Sequence, residues 1–372
     1  MKTRLLNLAL LFSVLIAGFA AMEWLVRRLP AAERLGWNLV QPVAQRVEQF
    51  AAKGQSHRII VVGDSFAEWM EQSGGNFARI AESSLRRQGR AVEMLNMGEA
   101  GSGLADYYRN LVTYGPDLKP GTVVIAVYLG NDLSPFPGGL PAPDQLHTRL
   151  PQPNVPRGWR DLLKQSVLLN LVYRQAKLHI PWIQSGFTAH VVDYSRSLAG
   201  KNQAFVTERL AQVDSQLLQD ANADAINGWD LATAIFRPDY YDNLAKADTT
   251  TAEGEAARAS LTDLRDIYRY VHSLEAKPVL VLIPPSPWVS SRYHDYFQRL
   301  GYGRLGLVDG IPPIVGEIIT MAQDDGVAVL DLLPVLRASD QPAYLERDIH
   351  FNSHGQKLAG QALANFLRSL LP

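Results

Sequence analysis

The chain has 372 residues, with 36 Lys and Arg against 37 Asp and Glu, 47% apolar residues and no cysteine. The balanced charge excludes a global basic field for nucleic acid, and the apolar share excludes a disordered chain. Without cysteine there are no disulfides, thiolate metal sites, thiol nucleophile or N-terminal lipoprotein anchor, so chemistry rests on oxygen and imidazole groups.

Lys2 and Arg4 precede an apolar run from Leu5 to Met22, interrupted by Asn7 and Ser13 and ended by Glu23, Arg27 and Arg28. As a helix it reaches about 27 Å, close to the roughly 30 Å of a bilayer core. The run is long for the core of a signal peptide, Gly18-Phe19-Ala20 is a fair cleavage site, and Trp24-Leu25-Val26 continues the apolar face. An uncleaved membrane anchor over residues 1–29 is expected, with a cleaved signal sequence and a buried helix as alternatives. The flanking charges put the N-terminus in the cytoplasm and the body beyond the inner membrane, in the periplasm, single-pass or secreted there after cleavage.

Residues 30–57 read as a linker, helical from Ala31 to Phe50 and polar from Lys53 to His57. The body, 58–372, carries five short runs rich in Val, Ile and Leu with little alternation: Arg58–Val62, Val92–Leu95, Thr122–Leu129, Pro278–Ile283 and Val327–Leu330. Strands buried on both faces of a parallel sheet read this way. Helical spacing between and after them covers Phe77–Gln88, Leu104–Tyr114, Ala256–Leu274, Ile314–Ala322 and Lys357–Leu371. The alternation predicts an α/β fold, a three-layer α/β/α sandwich on a roughly five-stranded parallel sheet. Residues 133–255 break the rhythm and read as a helical insertion, with an amphipathic stretch Asp161–Leu178 and an aromatic group Trp229, Phe236, Tyr240 and Tyr241. Core packing is the expectation for that group, and stacking on sugar rings the alternative.

In a parallel sheet the site lies beyond the carboxyl ends of the strands. The first strand runs into Gly63-Asp64-Ser65, the second into Asn96–Gly101, and the third into Gly130-Asn131-Asp132; Asp348-Ile349-His350-Phe351-Asn352 precedes the last helix. These blocks resemble the SGNH/GDSL hydrolases, over the body from about residue 58 onward without the insertion. The resemblance implies an SGNH/flavodoxin-like fold, Ser65 as nucleophile, His350 as base, Asp348 as its partner, and an oxyanion hole from Ser65, Gly101 and Asn131. The third block lacks a first glycine, having Leu129 there, and the last is D-x-H rather than D-x-x-H, with Arg347 at the usual acid position. D-x-H followed by an aromatic and Asn is similar to the alginate-type O-acetyltransferase branch of the superfamily.

The chemistry is coherent on physical grounds. A serine hydroxyl needs a base, an imidazole serves near neutral pH, and a carboxylate fixes its tautomer. Glycine at 101 is expected to leave room for the oxyanion. Asp64 and Asp132 read as loop-orienting, Asn352 and Ser353 as helix caps, and His354 as an exposed first-turn residue. Ser286 and Trp288, after the fourth strand, lie where contact with substrate is an alternative reading. Histidines 57, 147, 179, 190, 272 and 294 receive no role. The signatures G-x-x-x-x-G-K-[ST], H-E-x-x-H, G-x-S-x-G and S-x-x-K are absent, and neither cofactor nor metal is implied.

The expectation is a membrane-tethered extracytoplasmic serine esterase acting on O-acyl, above all O-acetyl, esters of cell-envelope glycans. The alternatives are an O-acetyltransferase acting on an exopolysaccharide or other envelope glycan, and a non-catalytic glycan-binding or assembly protein. Implied partners are an acylated glycan or small acyl ester, a multi-span membrane acyltransferase, and the membrane through residues 5–22, with no nucleic acid.

Overall fold

The structure, a computed structural model, describes residues 2–26, 42–51, 57–69, 75–146, 168–169, 172, 203–222, 225–306 and 310–371, with the side chains of the N-terminal helix described from Ser13 onward. Two compact units divide the chain: Met1–Leu39 with Pro153–Ser185, and Val40–Gln152 with Gly186–Pro372.

In the first unit the apolar run forms α1 (Lys2–Val26). Val14, Leu15, Ile16, Phe19, Met22, Trp24 and Leu25 are exposed on it, and Glu23 Oε2 accepts the Leu168 N–H at 2.9 Å. Among the described residues no helix is long and apolar enough to cross a membrane. Most of the expected stretch Asp161–Leu178 lies outside the described residues.

The second unit opens with α2 (Val43–Ala51), which buries Val43, Arg46 and Phe50. There follow β1 (His57–Gly63), α3 (Ser65–Glu68), α4 (Phe77–Arg87), β2 (Val92–Asn96), α5 (Leu104–Leu118) and β3 (Thr122–Tyr128). Between β3 and β4 come α6 (Gln203–Ala211), α7 (Ser215–Asn222), α8 (Gly228–Phe236), α9 (Tyr240–Lys246) and α10 (Ala252–Ser273). The chain closes with β4 (Lys277–Ile283), α11 (Ser286–Val289), α12 (His294–Leu300), α13 (Pro313–Asp324), β5 (Ala328–Asp331), α14 (Leu333–Arg337) and α15 (Ser353–Leu370).

The five strands form one parallel sheet in the order β2-β1-β3-β4-β5. All seven residues of central β3 are buried, as a strand covered by helices on both faces must be. Helix α15 packs on α4 and β5 to make one helical layer, and α10 packs on α5 and α13 to make the other. The α15–α4 crossing is close because position 360 is glycine: a Cβ there would lie 2.7 Å from Ile80. Gln356 Oε1 locks the same crossing by accepting the Phe77 N–H at 2.7 Å. The strand order reverses between β1 and β3, which opens a crevice at their carboxyl ends.

The insertion's aromatics pack into a core shared with the segment after β4. Tyr241 is fully buried and meets the rings of Tyr240, Phe297 and Tyr302 at centroid distances of 5.4, 5.4 and 5.1 Å. Trp229 meets Tyr240 edge-on at 6.2 Å.

Candidate active site

Ser65 begins α3, two residues past the end of β1. Asp64 caps that helix, its Oδ1 accepting the Phe66 N–H at 2.9 Å, so the turn aims the serine side chain out of the sheet end. Ser65 Oγ lies 2.8 Å from His350 Nε2 and 3.4 Å from Asp64 Oδ2. A hydroxyl has one proton, and the shorter contact is much the stronger; the proton points to the imidazole. The other ring nitrogen, His350 Nδ1, meets the Asp348 carboxylate, which also accepts the His350 backbone N–H at 3.0 Å. Residues 285 positions apart thus meet at one point.

The loop bearing His350 is held from several sides. Leu345 N–H donates to the His350 carbonyl at 2.9 Å and Asn352 N–H to that of Ala343 at 3.0 Å. The Tyr293 hydroxyl accepts from the N–H groups of Ala343 and Tyr344 at 3.0 and 3.1 Å. The Tyr344 hydroxyl donates to the Pro284 carbonyl, just past β4, at 2.6 Å. Arg347, at the usual acid position, is exposed; its carbonyl accepts from the Tyr296 hydroxyl at 3.0 Å. Asn352 caps α15 by accepting from His354 and Gly355. His354 differs from expectation: it is half-buried and bonds Ser339 Oγ at 2.9 Å, because the α14–α15 connection folds back over the first turn.

Two aromatic rings that the sequence reading passed over frame the imidazole. Trp69 stacks on it with centroids 4.9 Å apart and planes at 11°, and Phe66 lies at 5.1 Å. Phe66 follows Ser65 on its own short helix and Trp69 caps that helix. A ring face beside the imidazole favours its cationic form. Burial pulls the His350 pKa down, but the carboxylates of Asp348, Asp64 and Glu68 outweigh it and hold the value above 6.5.

The acidic groups behind the serine are shifted upward. Burial raises Asp64 to about 6, against the opposing pull of the Phe66 N–H and His350. Burial, and then the Asp64 charge, push Asp132 well above its ordinary range. Asp132 Oδ2 accepts from the Tyr107 hydroxyl at 2.6 Å and the Tyr128 N–H at 2.8 Å, so it ties β3's end to α5. Glu68, also unassigned from sequence, is raised to about 7 by burial, and its Oε2 accepts the Ala100 N–H at 3.0 Å.

The loop after β2 is drawn to the serine helix by that bond, and to β1 by the Glu99 N–H, which reaches the Gly63 carbonyl at 3.1 Å; the Ser102 hydroxyl closes the loop on itself by donating to the Glu99 carbonyl at 2.6 Å. Gly101 follows Ala100, exposed, with φ +76°. A Cβ there would meet nothing within 4 Å. The glycine suits the left-handed backbone found there. Room is what Gly98 supplies: a Cβ there would lie 2.6 Å from Ala67 Cβ and 2.7 Å from Glu68 N. Asn131, past β3, is half-buried, and its Oδ1 has no hydrogen-bond partner among the described residues. Ser286 and Trp288 are 1% and 0% exposed, so neither offers surface to a substrate. Among the described residues no group of three His, Asp or Glu side chains is placed to hold a metal ion.

Residues 245–372 match a family model described as the SGNH hydrolase-like domain of acetyltransferase AlgX. The matched stretch contains Asp348 and His350; Ser65, Gly101 and Asn131 lie before it. No curated protein matches the chain. Among solved structures, the psychrotrophic esterase EstA from Pseudoalteromonas sp. is 11% identical, with 84% of this chain and 98% of that one covered and a TM-score of 0.36. A GDSL-like lipase from Bacteroides thetaiotaomicron is 10% identical, with 88% and 98% covered and a TM-score of 0.36. The chain is thus similar, over residues 245–372, to the SGNH hydrolase-like domain of AlgX.

Proposed function

We propose that the protein is a membrane-tethered, periplasm-facing serine esterase that removes O-acyl groups, chiefly O-acetyl, from cell-envelope glycans through Ser65, His350 and Asp348. The observation that carries this reading is the 2.8 Å contact of Ser65 Oγ with His350 Nε2, with Asp348 on the far ring nitrogen. His350 takes the serine proton as Oγ attacks the ester carbonyl, and Asp348 stabilises the imidazolium. The backbone N–H groups of Ser65 and Gly101 and the Asn131 amide serve as donors to the tetrahedral oxyanion, each worth about 3–4 kcal/mol of barrier. His350 returns the proton to the leaving alkoxide, leaving an acyl-Ser65 ester. Water, activated by the same imidazole, then releases the acid. The exposed apolar side chains of α1 support the anchor.

A second reading, transfer of the acyl group to a glycan hydroxyl, is favoured by the D-x-H block and by the description of the matched family. In that case a multi-span membrane acyltransferase is the partner that supplies the acyl group. A serine-directed fluorophosphonate should label the full-length protein and leave Ser65→Ala unlabelled. Equal labelling of the two would reject the serine mechanism, and no labelling of either would favour a binding protein. Incubation with an activated acetyl ester and an acceptor glycan separates the two acyl fates: acetate release supports the esterase, acetylated glycan the transferase.

The two glycines of the loop after β2 should behave differently. Gly98→Ala drives a methyl into α3 and should lower kcat by more than about tenfold, as small displacements of an active-site loop do. Gly101→Ala carries only about 1–2 kcal/mol of backbone strain and should lose less. Kinetics of both variants on an activated acetyl ester check the order.

A further inference from the structure

Arg46 lies on α2, ahead of the first strand, and is only 7% exposed. Val43 and Phe50 of the same helix sit in the core, so the base of the side chain is fixed. Its guanidinium donates to the backbone carbonyls of Asn96 at 2.5 Å and Gly98 at 2.7 Å. Those carbonyls open the loop that ends at Gly101. From the other side Glu68, three residues past Ser65, accepts the Ala100 N–H at 3.0 Å, and Arg46 and Glu68 attract one another. A cation grips the carbonyl edge of the segment and a carboxyl group its amide edge. The Arg46 bonds are charge-assisted, the stronger kind, and the Glu68 bond becomes so as its carboxyl, raised to about 7, ionises.

We propose that Arg46 is a positioning residue for acyl transfer: from a helix ahead of the sheet it fixes the loop Asn96–Gly101 so that the Gly101 N–H meets the oxyanion formed at Ser65. This rests on the reading of Ser65 and Gly101 given above. Without the guanidinium the Asn96 and Gly98 carbonyls are left buried and lose these donors, and the loop relieves that by turning them to water. Gly101 moves with them. The serine–histidine contact, which lies on other elements, stays.

The test compares the full-length wild type with Ser65→Ala, Arg46→Ala and Arg46→Lys, using a surface control, Arg258→Ala, which removes an exposed ion pair to Glu317. For Arg46→Ala, kcat on an activated acetyl ester should fall about 100-fold with KM within about twofold, because the loop meets the transition state rather than the ground state. The acidic limb of the pH profile should stay set mainly by Asp348 and drift slightly down rather than up, since losing Arg46 lets the Glu68 carboxyl hold its proton longer and so support the imidazolium less. Ethylguanidine should restore the rate saturably in Arg46→Ala, and Arg46→Lys, a point charge that cannot fork to two carbonyls, should recover only part of it. Wild-type kcat in Arg46→Ala, or a rise in KM alone, would overturn the inference while leaving the serine mechanism standing. Turnover by Ser65→Ala would overturn both. Should Arg46→Ala fail to fold, the Lys variant decides: full kcat there refutes the two-carbonyl grip, and a drop in kcat at constant KM supports it.

Discussion

Asp348→Asn should cut kcat by about four orders of magnitude, the loss that follows when the carboxylate behind a catalytic imidazole becomes an amide. Asparagine can still accept the His350 backbone N–H that Asp348 accepts at 3.0 Å, so the loop should keep its shape. It offers no charge to the imidazolium; because one oxygen, Asp348 Oδ1, meets both the backbone N–H and Nδ1, an amide that turns its NH2 to Nδ1 stabilises the wrong tautomer and gives up the backbone bond. A pH signature accompanies the loss. His350 works as a base only when neutral, and its pKa is held above 6.5 by Asp348 first among the carboxylates, then Asp64 and Glu68. Wild-type kcat/KM should therefore rise through a midpoint above 6.5. Removing the Asp348 charge lowers that pKa, so the residual activity of the variant should rise at lower pH. Profiles of both proteins between about pH 4 and 9 read the shift, with circular dichroism as the check on folding. A variant within tenfold of wild type, or one whose limb does not move, would mean that another acid serves His350.

The part of this site that is visible in the sequence is the part written in local pattern. The apolar runs could be placed because a strand buried on both faces has nothing polar to show, and each run falls within a residue or two of its strand. Ser65 stands where β1 gives way to a loop and Asp348 and His350 stand just ahead of the last helix, and the topology of a parallel α/β sheet makes those positions meet. Arg46 was not visible. An arginine within an amphipathic helix reads as a solvated charge, and the carbonyls it reaches lie 50 and 52 positions on, with no side-chain pattern to mark them. Glu68 and Trp69 were hidden by proximity to the serine, where any residue of the short helix could have faced away. The φ of +76° at Gly101 is a property of backbone that residue type alone does not reveal.

Asp230→Asn should make the protein more stable at high pH and leave it little changed at low pH. The residue lies in the first turn of α8, where Asn227 Oδ1 accepts the N–H groups of Trp229 and Asp230 at 2.9 and 3.3 Å, and a helix N-terminus is a mild attraction for its charge. That attraction is outweighed. Asp230 is 0% exposed, and neither carboxyl oxygen has a hydrogen-bond partner among the described residues. Burial first, and then the Asp348 charge, push its pKa well above the ordinary carboxylate range. The native protein keeps a proton there that the unfolded chain releases near pH 4, so the native state binds more protons between those two values. Stability from this group is whole below about pH 4 and is lost as pH rises toward the native pKa. Asp64, raised to about 6, and Asp132 act in the same direction, so the wild-type melting temperature should fall from mildly acidic to alkaline pH. An amide at 230 is neutral in both states and removes its share of that slope. The melting temperatures of variant and wild type should agree near about pH 4 and differ by several degrees near about pH 8, the variant higher. A difference that stays constant with pH would show that the proton on Asp230 is not what the native fold retains.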